Sequence, residues 1–152
     1  MSIVIRPAIE ADYDVLARIW WQGQTPFDGS ATPPGMYDML RARLPQEIAD
    51  NDWRVFAAES DGRVAGLLAL SPKERSLRQI FIDETLRSHG IGKALLDFTK
   101  AQMPGGFWLR THALNTGGHR FYEREGLTHL RTEPHPQHPE AMFRIYGWRY
   151  TK

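Results

Sequence analysis

Apolar positions along this chain keep two rhythms, a period near two and a period near three and a half, and the rhythms change in a definite order. Ile3-Val4-Ile5 is a short β-rich start, stopped by Pro7. From Ile9 to Trp21, the residues Ile9, Tyr13, Leu16, Ala17 and Trp20 recur at three- and four-residue spacing. That pattern predicts an amphipathic helix with Gly23 as its stop. Thr25 to Gly35 holds three prolines and two glycines and reads as a loop. A second helix is predicted over Met36 to Leu44, ended before Pro45. Trp53 to Ala58 and Val64 to Leu70 read as strands joined by the hairpin signal Asp61-Gly62. Ser71-Pro72-Lys73-Glu74 turns the chain into a third strand that ends at Ile82. A helix then carries Ile91, Ala94, Leu95 and Phe98 on one face and stops at Pro104-Gly105-Gly106. Phe107 to Ala113 is a strand, and Asn115 to Glu125 is a helix stopped at Gly126. Leu127 to Arg131 and Met142 to Tyr150 are predicted as paired strands, joined by an extended connection through Pro134-His135-Pro136-Gln137-His138-Pro139.

A single strand comes first, then an antiparallel run, then strands alternating with helices. The expected fold class is α+β (mixed α/β), a mixed sheet with helices on both faces and not a simple doubly wound one. A length of 152 residues favours one domain, 1–152, and nothing in the chain reads as a repeat, a low-complexity tract or a linker. Such a chain buries roughly two-thirds of its unfolded surface.

Composition then narrows the chemistry. The sequence has no cysteine, which excludes disulfides, thiolate metal sites and a cysteine nucleophile. No apolar run approaches the ~18 residues of a membrane span. Met1-Ser2-Ile3-Val4-Ile5-Arg6 lacks the basic start and long apolar stretch of a secretory signal. The expectation is a cytoplasmic protein. Nineteen basic residues against 18 acidic give a formal charge of +1, so neither nucleic acid nor a membrane surface is expected as a partner. Local positive charge gathers at one place, around Arg87, His89 and Lys93.

That place is a turn. Leu77-Arg78-Gln79-Ile80-Phe81-Ile82 feeds Arg87-Ser88-His89-Gly90-Ile91-Gly92-Lys93, and the apolar helical pattern follows. A strand, a glycine-bearing turn and a helix start aim several backbone N–H groups at one point, where a phosphate can sit. A lone G-x-G also describes an ordinary tight turn. The P-loop spacing is missing, and a dinucleotide fingerprint would need glycine at Leu95 and an acid after the next strand, where His112-Ala113-Leu114-Asn115 stands.

Arg87, Gly90 and Gly92 form an R-x-x-G-x-G pattern that resembles the acyl-CoA signature of the GNAT superfamily of N-acyltransferases. Asn115-Thr116-Gly117-Gly118-His119-Arg120-Phe121-Tyr122-Glu123-Arg124-Glu125-Gly126-Leu127 is similar to that family's N-x-x-A-x-x-[FL]-Y-E-x-x-G-F segment, with Gly118 for alanine and Leu127 for phenylalanine. Ile5-Arg6-Pro7-Ala8, Glu10-Ala11-Asp12, Ala58-Glu59 and Asp61 to Gly66 resemble its opening strand, first helix and central hairpin. The resemblance implies a central mixed, mostly antiparallel, splayed sheet. It implies acetyl-CoA as acyl donor and no metal. Amides from Ser88, His89, Gly90, Ile91, Gly92 and Lys93 would meet the pyrophosphate, helped by about half a positive charge at the helix end. Ile80 and Ile82 would pair with the pantetheine arm, and an amide near Phe81 or Ile82 would face the thioester oxygen. Asn115, with Gly118 and Phe121 on the same helix, would flank that arm. Tyr122 would protonate the leaving thiolate.

From the residues alone, Asn115 also reads as an N-cap and Tyr122 as a half-buried aromatic. Glycines 90 and 92 are expected because a Cβ would hold the phosphate off the backbone. An attacking amine needs a base; Glu84, Asp83, Gln79 and His112 lie near the right strand ends, and Glu84 is the candidate carried forward. Glu84 and Asp83 also read as residues that follow the strand into solvent, and His112 as a satisfied, partly buried histidine. Trp20, Trp21, Phe27, Tyr37 and Trp53 read as an acceptor-pocket lining or, for Trp20 and Trp53 above all, as core. His129, His135 and His138 lack a completing carboxylate or cysteine, so no metal is expected. The aromatics of Arg144 to Tyr150 are expected exposed, as a possible homodimer contact. The function implied is acetyl transfer to a primary amine, on a small molecule, by direct attack in a ternary complex. Transfer to a lysine or amino terminus of a protein, or a non-catalytic acyl-CoA sensor, are the alternatives.

Overall fold

The computed structural model describes residues 2–24 and 31–151. Seven strands form one sheet: β1 (Ile3–Pro7), β2 (Arg54–Ser60), β3 (Arg63–Ser71), β4 (Ser76–Ile82), β5 (Phe107–His112), β6 (Thr128–His135) and β7 (His138–Trp148). The helices are α1 (Tyr13–Gly23), α2 (Met36–Asp50), α3 (Ile91–Gln102) and α4 (Thr116–Arg124). Strand order is β1-β2-β3-β4-β5-β7-β6, antiparallel throughout except for the β4–β5 neighbours. The mixed, mostly antiparallel α+β fold expected from the sequence is the fold observed.

Strand alternation splits the apolar residues between two faces. Leu68, Leu70 and Leu77 lie with Ile91, Leu95 and Leu96 of α3 in one core. Leu67, Ala69 and Val55 lie with Leu16, Ile19 and Trp20 of α1 and Leu40 and Leu44 of α2 in the other. The first amphipathic helix forms as its periodicity predicts, after a 3-10 turn over Glu10–Asp12. Asp12 anchors that turn by accepting from Ile9 N–H at 2.8 Å and from the Arg6 guanidinium at 2.8 and 3.0 Å. Phe27 and the loop around it lie partly outside the described residues. Trp20 and Trp53 are buried, with ring centroids 6.0 Å apart.

Two expectations are corrected. The second helix does not end before Pro45; α2 runs through it to Asp50. Proline in a helix interior costs roughly 3 kcal/mol. Here the buried stripe of Leu40 and Leu44 continues into Ile48, and the Arg43–Glu47 ion pair (3.1 Å) spans the proline. The proline- and histidine-rich connection is likewise no extended loop. It is the tip of a long hairpin in which His135 pairs with His138 and Gln137 N–H donates to His135 Nδ1 at 3.0 Å. β6 is an edge strand, so Pro134 removes no ladder bond that a neighbour needs.

Leu95 is fully buried between α3 and the sheet, against the backbone of Gly66. Leu95→Ala is expected to lower stability by about 2–5 kcal/mol, read as a shift in urea midpoint with an unchanged slope.

Candidate functional site

The site begins where the sheet fails to close. β4 and β5 are parallel neighbours, yet their register holds a single rung, Ser76 to Trp108. Arg75 ties that end. Its carbonyl accepts from Trp108 N–H at 3.0 Å, and its Nη2 donates to Gly105 O at 2.7 Å. Beyond the rung the strands part. Asp83 N–H is given to Ala65 O on β3 at 2.7 Å. By strand alternation the N–H and C=O groups of Ile80 and Ile82 therefore point the other way, into the gap. Their side chains pack on the α3 core, whereas the Phe81 ring goes to the α1 side. A Cβ on Gly23 would overlap that ring, so the end of α1 rests directly on β4.

The turn after β4 opens α3. Asp83 starts a 3-10 turn over Glu84–Leu86, and Arg87 is extended. Ser88 (φ 69°) and Gly90 (φ 82°) are both left-handed, with His89 between them. The first closed helical bond of α3 is Ala94 N–H to Gly90 O, 3.0 Å. The amides of Ile91, Gly92 and Lys93 therefore stay unpaired at the helix start. Ile91 is buried and pins this end to the core, while Arg87, Ser88, His89 and Gly90 are exposed. The two glycines also serve needs of the fold itself. Gly90 is required by its positive φ, with open space where a Cβ would sit. At Gly92 a Cβ would press on the Phe121 ring at 3.3 Å, so the missing side chain lets α3 and α4 approach. Lys93 is also less free than its position implied: it pairs with Glu125 at 3.1 Å and Asp97 at 3.5 Å.

α4 brings the second group. Asn115 is its N-cap, accepting from Gly118 N–H at 3.0 Å and donating to Thr111 Oγ1 at 3.0 Å. Gly118 is close enough that a Cβ would collide with the Asn115 amide. Tyr122 is buried, its ring 5.4 Å from Phe121 and 5.7 Å from Tyr146. Burial, and then the Tyr146 hydroxyl, push the Tyr122 phenol well above its ordinary range. Buried His119 holds α4 to β5 through His112 O at 3.0 Å, and burial lowers its pKa.

The Acetyltransferase (GNAT) family model matches residues 16–127. This chain belongs to the GNAT acetyltransferase family. A search of curated proteins found no match. Among solved structures, a putative acetyltransferase of the GNAT family from Desulfovibrio desulfuricans superposes with a TM-score of 0.77 at 17% identity, over 97% of this chain and 98% of that one. The PaiA N-acetyltransferase from Thermoplasma acidophilum, solved with coenzyme A, gives 0.74 at 20% identity over 99% and 100%. YncA from Salmonella typhimurium, a putative acetyltransferase solved with acetyl-CoA, gives 0.69 at 13% identity over 97% and 94%.

In this GNAT domain the base candidates separate sharply. Asp83 is buried and committed elsewhere: it accepts from Thr85 N–H (3.0 Å) and Thr85 Oγ1 (2.8 Å) and pairs with Arg18 (3.7 Å) and Arg63 (3.6 Å). Burial alone would raise its pKa; the Thr85 bonds and the two guanidinium groups outweigh it, and the net shift is downward. Glu84, the next residue, is exposed. His112 Nδ1 accepts from Leu114 N–H at 3.0 Å, and its ring lies edge-on to Phe143 at 5.0 Å. Gln79 is half-buried on β4. Trp21 and Tyr37 line a hollow of about 490 Å³ with Asp14, Val15 and Arg18. Among the described residues no cluster of three metal-ligating side chains forms, and no helix is long and apolar enough to cross a membrane.

The closing strand departs from expectation. Tyr146 is fully buried, donates to Glu123 at 2.7 Å and accepts from Arg144 at 3.0 Å. Its ring centroid lies within 6 Å of His119, Tyr122 and His129. It packs on Tyr122 and is not among the exposed aromatics expected of this strand. Sequence reasoning also missed Arg75 and Phe81's contact with Gly23, since neither rung nor overlap leaves a periodic trace.

Asp12 and Asp83 both have depressed folded-state pKa values. Asp12 owes this first to its Arg6 bond, then, against burial, to Ile9 N–H. Their stabilisation is complete above the unfolded value of ~3.9 and is lost as pH falls through the folded values. The urea midpoint is expected to fall as pH drops below about 4, and Asp83→Asn should flatten that fall.

Proposed function

We propose that this GNAT domain binds acetyl-CoA along the β4 edge and transfers its acetyl group to a primary amine of a small molecule. The observation that carries the reading is one continuous run of unsatisfied backbone: the gap-facing groups of Ile80 and Ile82, then the free amides at the start of α3. A pantetheine arm carries amides of its own and can extend β4 as a strand. The pyrophosphate then meets the amides from Ser88 to Lys93, with Arg87 and His89 exposed beside them. The Ile82 amide, which faces the gap where the Phe81 amide faces β3, supports the thioester oxygen as charge develops on it; loss of such a donor costs about 100- to 1,000-fold in rate. Asn115, Gly118 and Phe121 flank the arm from α4.

In the transfer, the amine nitrogen forms a bond to the acetyl carbon and the carbon–sulfur bond breaks. The amine's proton leaves towards Glu84, directly or through water, and the sulfur gains one from Tyr122. Each unit by which the amine's pKa exceeds the solution pH costs about 1.4 kcal/mol, so a base is needed. The raised phenol stays in its donor form, and it gives its hydrogen as negative charge builds on sulfur. With no cysteine in the chain, an acetyl-cysteine intermediate is excluded, which supports direct attack in a ternary complex. The lack of cysteine in the sequence and an acetyl-CoA donor are both in keeping with a cytoplasmic reaction. Self-association would use the exposed edge strand β6.

Three measurements test this. Calorimetry should show acetyl-CoA binding by wild type and by Tyr122→Phe alike, while that substitution lowers kcat about 100- to 10,000-fold. Binding with no turnover of any amine by wild type would favour the sensor reading. Glu84→Gln should lower kcat/KM most at low pH, where the amine is protonated. Initial-rate lines should intersect in double-reciprocal plots; parallel lines would contradict direct attack.

A further inference from the structure

We infer that Arg110, with Arg78 beside it, forms an anion-recognising wall of the acceptor site, so that the amine acetylated by this protein also carries a carboxylate. The inference rests on the acetyltransferase reading above and names its substrate class.

The placement follows from the last rung of the split. Ser76 and Trp108 pair, and two residues further along each strand stand Arg78 and Arg110. Phe107 and Leu109 face the α3 core, so Trp108, Arg110 and His112 alternate onto the opposite face, that of α1 and α2. Arg78 lines a cavity on that same side with Arg43 and Glu47 of α2 and Gln137 of the hairpin tip. The apex of the gap, where an acyl group carried along β4 would end, therefore presents two guanidinium groups towards the acceptor side.

Charge balance at this point is incomplete. Arg78 pairs with Glu74 at 3.2 Å, and that carboxylate is well exposed. Arg131 is engaged by Glu133 at 2.8 Å and His138 by Glu140 at 3.8 Å. Among the described residues Arg110 pairs with no carboxylate: its guanidinium lies over the Trp108 ring at 5.4 Å, and its Nε is buried without a hydrogen-bond partner. Burial, and then Arg78, lower its pKa; Arg131 adds to this and Glu133 opposes it. His135 is similarly lowered, by burial and then by Arg110. A planar carboxylate accepting from the two Nη groups matches the guanidinium fork. The reacting nitrogen would then lie within a few bonds of the anchored carboxylate, as in an amino acid.

The test measures acetylation of the common α-amino acids, β-alanine and γ-aminobutyrate, each beside its carboxamide. Phosphoethanolamine against ethanolamine, spermidine and a peptide amino terminus complete the panel. The best acid is expected to exceed its amide by at least about tenfold in kcat/KM, a difference of roughly 1.4 kcal/mol. Arg110→Gln should erase most of that ratio by raising the acceptor KM, with acetyl-CoA affinity unchanged; Arg110→Lys should restore part of it. Arg78→Gln gives the same readout should Arg110→Gln fail to fold. Equal use of acids and amides, preference for spermidine or the peptide, or an Arg110→Gln loss shared by every amine overturns the inference, as does acetyl-CoA binding with no acid acetylated. A preference confined to phosphoethanolamine overturns the carboxylate assignment. Failure to bind acetyl-CoA at all removes the acetyltransferase reading itself.

Discussion

One rung of backbone pairing, Ser76 to Trp108, decides what this sheet can do. A parallel pair normally continues for several residues, each supplying a hydrogen bond and burying a strip of side chain. Here Arg75 fastens the first step with its carbonyl and its guanidinium, and the strands then diverge. The divergence is sustained from both faces. α3 packs on Ile80 and Ile82, α1 packs through Gly23 on Phe81, and β5 takes a different partner, β7, along its far side. The gap is thus a product of full packing around it and not of a defect in the core.

Two rigid devices frame the gap. On one side, Asp83 binds Thr85, Arg18 and Arg63 at once, joining α1, β3 and the turn before α3 through one carboxylate. That junction fixes the direction in which the free amides of α3 point. On the other side, Tyr146 holds Tyr122 and His119 in an aromatic stack while its hydroxyl is satisfied by Glu123 and Arg144. The same packing that restrains the Tyr122 ring takes its phenol out of water and raises its pKa.

Much of this was legible in the sequence, for reasons that can be named. Strand and helix periodicity reads local burial, and burial here is regular: Leu16, Leu95 and Leu68 fall where their periods put them. The glycine turn and the Asn115-to-Tyr122 segment were legible because each needs particular residue types at fixed spacing. What escaped depended on distant partners. Pro45 signals a helix end until Ile48 and the Arg43–Glu47 pair are known to lie beyond it. Pro134 to Pro139 signals a loop until β6 is known to be an edge. Tyr146 signals surface until α4 covers it. In each case the local signal was real and a tertiary contact outweighed it.

The parted strands have a further consequence for the empty protein. A sheet ordinarily has two edges, and this one has four, because β4 and β5 each expose unpaired backbone inside the molecule's outline. Unpaired strand edges template association with other chains unless something covers them. The outer edge at β6 carries proline and charge, whereas the inner edge at Ile80 and Ile82 is apolar and bare. An extended ligand in the gap would complete the sheet, and by mass action it would stabilise the folded chain in proportion to its supply.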